Sequence, residues 1–138
     1  MAKKSSVKKT AWTYFAHYIR RKECKETTGD YNFGICCTCG KVKNFALLDA
    51  GHFVSGRVDS ILFDEDMVHI QCVGCNRYKS GMWPEYYEYM IDRYGEDVTE
   101  EIRKRKFENK SLTIDDIIDT RNHYKGLLKE IGFWPIGG

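Results

Sequence analysis

No stretch of this chain approaches the roughly 20 consecutive apolar residues that a bilayer-spanning helix needs. Its opening residues, MAKKSSVKKT, hold no apolar core of a secretion signal. Neither membrane insertion nor export is expected, so the chain reads as cytoplasmic. No internal repeat and no long low-complexity tract is present, which sets aside solenoids and repetitive linkers. At 138 residues the chain has room for one ordinary domain and not comfortably for two.

Net charge is also scarce, at +2, but it is unevenly spread. Residues 1–25 carry Lys3, Lys4, Lys8, Lys9, Arg20, Arg21, Lys22 and Lys25 against Glu23 alone, whereas residues 85–119 lean acidic. A basic end on a near-neutral protein suits a polyanion such as nucleic acid, and it equally suits a solvated tail.

What the chain does have is cysteine, six in all. In a reducing compartment these are metal ligands or free thiols rather than disulfides. Cys36 and Cys39 form one Cys-x-x-Cys pair, and Cys72 and Cys75 form another. Two such pairs supply the four thiolates of a closed, structural Zn²⁺ site. The 32 residues between the pairs exceed the usual zinc-finger spacing, and a β-hairpin there would bring the chain back to the metal. Cys37 and Cys24 fall outside this pattern and read as bystanders. Because four cysteines leave no open coordination position, the zinc is expected to organise the fold, and any chemistry must come from other side chains.

The local patterns predict a flexible basic arm over residues 1–10 and an amphipathic helix over 11–25. Two antiparallel strands are expected near 44–52 and 61–70, joined by VSGRVDS. A metal knuckle and helical turn follow, then helices over about 84–131. Pro84 suits a first helical turn, and Asp97 with Glu100 and Thr113 with Asp116 read as capping boxes. The fold class is therefore α+β, with a zinc-stabilised ββα core at about 34–82 inside one domain spanning 11–138.

His52 lies on the first predicted strand, and Asn76 directly follows the last cysteine. The knuckle would clamp these two elements together. GHF, a hairpin and then CVGCNRYKSG resemble the ββα-metal or HNH nuclease core. YIRRKECKETTGDYNFGICCTCGKV, DAGHF, LFDEDMVHIQCVGCN, SGMWPEYYEYM and RYGEDVTEEI resemble the phage recombination endonucleases of the NinG/Rap family, over residues 12–103.

That resemblance implies hydrolysis of DNA phosphodiester bonds, directed at branched recombination intermediates such as Holliday junctions and D-loops. It also implies a general base at His52, a ligand of a catalytic Mg²⁺ or Mn²⁺ at Asn76, and work in the host cytoplasm if the chain is phage-encoded. A homodimer is expected, since one small site does not cut a four-way junction symmetrically.

The chain departs from the pattern in two places. The position before the histidine, acidic in many HNH enzymes, is Gly51, and Asp49 is the nearest carboxylate. On a regular strand Asp49 and His52 face opposite ways, so Asp49 would join the site only through a bend at Gly51. The middle asparagine is replaced by Met67. His69 is the candidate substitute, its other reading being a histidine that bonds the hairpin or encloses the zinc site. Arg57, in the turn, is a candidate phosphate clamp or an exposed loop residue.

Trp83, Tyr86, Tyr87 and Tyr89 could stack on unpaired bases, but their spacing favours packing. His17 and His123 read as surface or packing residues, and GFWPIGG has no assigned role. A zinc-knuckle protein that binds nucleic acid without cutting it, and a zinc-scaffolded protein-interaction module, are the competing readings.

Overall fold

In the computed structural model, which describes residues 3–136, the first helix, α1, runs from Lys4–Thr28. It starts well before the 11–25 predicted, and the expected basic arm is, from Lys4 onward, helix. The reason is packing: Val7 and Ala11 are buried against Leu112 and Ile117 near the C-terminal end of the chain. Lys8 also reaches Asp59 at 2.6 Å. Met1 and Ala2 of the arm, and Gly137 and Gly138 of the tail, lie outside the described residues. Gly29 ends the helix at φ 83°, donating its N–H to Lys25 O.

Two small antiparallel hairpins follow. β1 (Phe33–Ile35) pairs with β2 (Val42–Asn44), and β3 (Leu48–His52) pairs with β4 (Val68–Cys72). The second hairpin is in register Leu48↔Cys72 through His52↔Val68. Both of its strands are shorter than predicted, for local reasons. Asn44 accepts a hydrogen bond from Ala46 N at 2.9 Å and turns the chain through one 3-10 turn, so β3 starts at Leu48. Ile61 and Leu62 both donate to Val58 O, and Asp64 accepts from Asp66 N, so 58–66 is a folded turn that buries Ile61 and Leu62. Arg105 pins it by bonding Asp64 and Asp66.

A wide helical turn, Gly74–Tyr78, leads to α2 (Trp83–Tyr94), α3 (Glu96–Lys104) and α4 (Ile114–Glu130). Pro84 sits in the first turn of α2. The Thr113–Asp116 capping box is formed in both directions. The Asp97–Glu100 box is not, because Gly95 is the cap and Glu100 turns to Arg103 at 2.6 Å. The main core joins Phe15 and Ile19 of α1 to Phe53, Met67, Val68, Tyr86, Met90 and Tyr124, and a second cluster gathers Cys24, Leu48 and Ile70 around the cysteines. The tail is absorbed too: Phe133 packs beneath Arg21, 4.0 Å from the guanidinium, and Trp134 meets Tyr14 edge-on at 4.9 Å.

Candidate metal centre and the adjoining cleft

The two knuckles meet because β4 ends at Cys72 directly opposite Leu48, beside the β1–β2 turn that carries Cys36 and Cys39. The sulfurs of Cys36, Cys39, Cys72 and Cys75 all lie within 4.8 Å of one another. Cys39 and Cys72 are 3.8 Å apart, which is close to the separation of about 3.8 Å that tetrahedral Zn–S bonds of ~2.3 Å impose. Burial opposes ionisation of Cys36, yet the Cys72 amide and the Thr38 hydroxyl donate to its sulfur and bring its pKa down to about 6. Burial and the thiols beside it push Cys75 up to about 12. Four sulfurs this close carry their charge together only around a cation, so the donor set fits zinc. Cys37 and Cys24 stand outside the cluster, and burial raises both thiols, Cys24 to about 11.

Beside this centre is an open cleft of about 610 Å³, lined by residues 49–53 in unbroken succession, by Asn76 and Arg77, and by α1 residues Trp12, Thr13, Ala16 and Arg20. Four consecutive strand residues, with Phe53 just beyond them, line one cleft because β3 is paired with β4 alone, so the cleft wraps its free edge and receives side chains from both faces. Asp49 and His52 thus both reach it while the register stays regular through Gly51, and no bend is needed.

Asn76 donates through Nδ2 to Asp49 Oδ2 at 3.0 Å, and Arg77 holds both oxygens of Asp49 at 2.9 Å. His52 lies parallel to the Trp12 indole, 5.3 Å between centroids and 16° between planes, with Nε2 3.3 Å from Leu62 O. Burial lowers the His52 pKa, against the opposing pull of the Leu62 carbonyl, so the ring is neutral at neutral pH. A side chain at Gly51 would force Gln71 to shift: its Cβ would stand 2.4 Å from Gln71 Oε1 and 3.2 Å from Asn76 Oδ1. Arg57 reaches over Trp12, 4.3 Å from the ring centroid.

A family model described as Bacteriophage Lambda NinG protein matches residues 1–132. The chain belongs to the NinG family. Protein ninG of Escherichia phage 933W is 31% identical over 97 residues, 70% of this chain and 47% of that protein, and protein ninG of Escherichia phage lambda gives the same figures. Protein ninG of Salmonella phage P22 is 38% identical over 68 residues, 49% of this chain and 33% of that protein. The chain therefore spans about half the length of the first of these relatives. No solved structure matches it.

Among the candidate residues of this NinG-family chain, Asp49, His52, Arg57 and Asn76 line one cleft and His69 does not. His69 is fully buried, with Nδ1 2.7 Å from Glu23 Oε2 and Nε2 3.0 Å from Asp66 O and 3.1 Å from the Tyr94 hydroxyl. Every polar atom of its ring is occupied by the fold. Of its two readings, the histidine that braces the hairpin is the one this geometry accommodates. Glu23 also accepts from Ile70 N at 2.9 Å, so one buried carboxylate ties α1 to β4. Tyr86, one of the possible base-stacking residues, is instead buried, accepting from His69 N and donating to Gly51 O at 2.6 Å. Trp83, with 46% of its surface exposed, is the aromatic of that stretch left at the cleft edge.

Sequence reasoning missed Trp12, Arg20, Arg77 and Glu23. Trp12, Ala16 and Arg20 do share one helical face at four-residue intervals, but nothing in the residues says which element that face meets. No helix is long and apolar enough to cross a membrane among the described residues.

Proposed function

We propose that this chain is a metal-dependent endonuclease that hydrolyses DNA phosphodiester bonds, preferring branched recombination intermediates such as Holliday junctions and D-loops. One observation carries the reading: Asp49 and Asn76 meet at 3.0 Å in the cleft that His52 also lines. A carboxylate and an amide oxygen are hard ligands suited to Mg²⁺ or Mn²⁺. A divalent ion there would polarise the phosphate and stabilise the departing 3′ oxygen. His52, kept neutral by burial, is able to accept a proton at neutral pH. With Nε2–H donated to Leu62 O, Nδ1 is the nitrogen left to take that proton from water. Arg57, at the cleft wall, can neutralise phosphate charge.

The closed zinc site takes no part in the chemistry; it holds Asn76, next to Cys75, against β3. Preference for branched DNA is supported by the resemblance to recombination endonucleases. A homodimer acting in the host cytoplasm follows from that substrate, because paired cuts need two sites.

A second reading, a zinc-knuckle protein that binds nucleic acid without cutting it, is favoured by one contact. Arg77 occupies both oxygens of Asp49, and a metal must share or displace it. Purified zinc-loaded protein incubated with a synthetic four-way junction and matched linear duplex, with Mg²⁺ or Mn²⁺, separates the two. Junction cutting that disappears in His52→Ala supports the endonuclease. Tight binding without cutting in either metal supports the alternative, and equal cutting of both substrates removes the branch preference.

A further inference from the structure

A second cavity, about 480 Å³, is lined by Ser5, Lys8, Lys9 and Leu62, and shares Trp12, Thr13 and Arg57 with the cleft. The two cavities adjoin at these three residues and both lie against α1, so together they make a concave surface beside the helix from its first turns to Arg20. Lys9 and Arg20 are eleven residues apart, about 16 Å along the helix at ~1.5 Å per residue.

The cations of this groove differ in how far they are satisfied. Lys8 is paired with Asp59, and Arg77 with Asp49. Among the described residues, Lys9, Arg20 and Arg57 have no carboxylate within ion-pair distance. Arg20 is the telling case. Its guanidinium donates to Ala16 O at 3.2 Å and Leu48 O at 3.4 Å and lies 4.3 Å over the Phe45 ring. Three elements therefore hold a half-buried cation at the cleft wall without a direct ion pair, the Asp49 carboxylate acting on it only from beyond ion-pair distance while paired to Arg77. Burial lowers its pKa, a cost that an arriving anion would offset.

The groove is poorly suited to reading bases. Trp12, its central aromatic, is already engaged by His52 and Arg57, and Thr13 and Ala16 beside it are small. A row of cations on one helix face follows one phosphate backbone, whereas a duplex sets two backbones about 12 Å apart across its major groove and about 6 Å across the minor.

We propose that the groove along α1 binds the phosphodiester backbone of a single nucleic-acid strand without sequence preference, Arg20 gripping the phosphate nearest His52 and Lys9 a phosphate farther out. The inference rests on the proposed function only in taking nucleic acid as the ligand. Its test needs no cleavage.

The experiment is fluorescence anisotropy of the full zinc-loaded chain with a labelled single-stranded oligonucleotide, without added divalent ion, across a salt series. Arg20→Gln and Lys9→Gln are each expected to weaken binding roughly tenfold and to flatten the slope of log affinity against log salt by about 0.7, the loss of one phosphate contact. Arg20→Lys should keep the slope. Lys129→Gln, on α4 and lining neither cavity, should change neither quantity. Zinc content and thermal melting confirm folding for each variant, and exposed Lys9 tests the groove independently of packing at Arg20. Slopes for Arg20→Gln and Lys9→Gln equal to that of Lys129→Gln would overturn the proposal, as would tighter binding of matched duplex than of single strand. Failure to cut DNA with Mg²⁺ or Mn²⁺ would count against the endonuclease and leave this result standing.

Discussion

Asn76 donates a hydrogen bond to Asp49 at 3.0 Å, joining the turn after the last knuckle cysteine to the first strand of the central hairpin across 27 residues of sequence. This bond brings two oxygen-bearing side chains to the wall that His52 shares. Its geometry is tied to the cysteine cluster next door, since Asn76 directly follows Cys75.

The metal centre should therefore control folding as well as composition. One zinc per chain is expected, and structural zinc contributes about 10 kcal/mol or more of apparent binding energy to a small site. Cys72→Ser should lose the metal and the cooperative melt together, while Cys24→Ser and Cys37→Ser keep both. Elemental analysis beside thermal unfolding reads this, and full zinc occupancy in folded Cys72→Ser would refute the ligand assignment.

Cleavage should follow the protonation of His52. His52→Ala is expected to lower the rate by about 10²- to 10⁴-fold with little change in DNA affinity, because a base acts in the transition state. Asn76→Ala should lose activity through weaker metal binding, with partial recovery at high Mn²⁺. A base works when unprotonated, so activity should rise with pH through the His52 pKa. Burial places that pKa below its ordinary value of 6.5, so the acidic limb of kcat/KM should have its midpoint below 6.5. A midpoint above 7, or a pH-independent rate, would take His52 out of the mechanism.

Gly51 should not accept an acidic residue in its place before the histidine. Its Cβ would stand 2.4 Å from Gln71 Oε1, and Gln71 is fixed where it is because its Nε2 donates to Gly81 O at 2.7 Å. Gly51→Ala is expected to cost about 1–3 kcal/mol, and Gly51→Asp at least as much with no gain in cleavage. Chemical denaturation measures the first, and an unchanged midpoint for Gly51→Ala would show that Gln71 moves aside freely.

Glu23 should act as a structural tie. Removing its carboxylate in Glu23→Ala leaves His69 Nδ1 and Ile70 N without their buried partner. A loss of about 2–6 kcal/mol is expected, at about 1–3 kcal/mol for each of the two donors left unpaired, against less for Glu23→Gln, which keeps an acceptor. Denaturant titration decides, and a loss under 1 kcal/mol in Glu23→Ala would mean that water or another group replaces it.

By itself the sequence determined the α+β class, the four-cysteine set, the Thr113 helix start and the placing of His52 and Asn76 on either side of the knuckle. Each of these follows from spacing or local capping, which the chain carries wherever it goes. Other features were decided only in three dimensions. Residues 4–10 are helical because Val7 and Ala11 bury against Leu112 and Ile117, a contact invisible to local periodicity. The 61–70 strand is cut back to Val68 by Arg105, more than 35 residues away, gripping Asp64 and Asp66. Asp49 joins the cleft because β3 has a free edge, and His69 leaves it because Glu23 draws its ring into the core. Trp12 and Arg20 became cleft residues when α1 packed beside that edge. A pattern along the chain says which side chains share a face, and only packing says what that face meets.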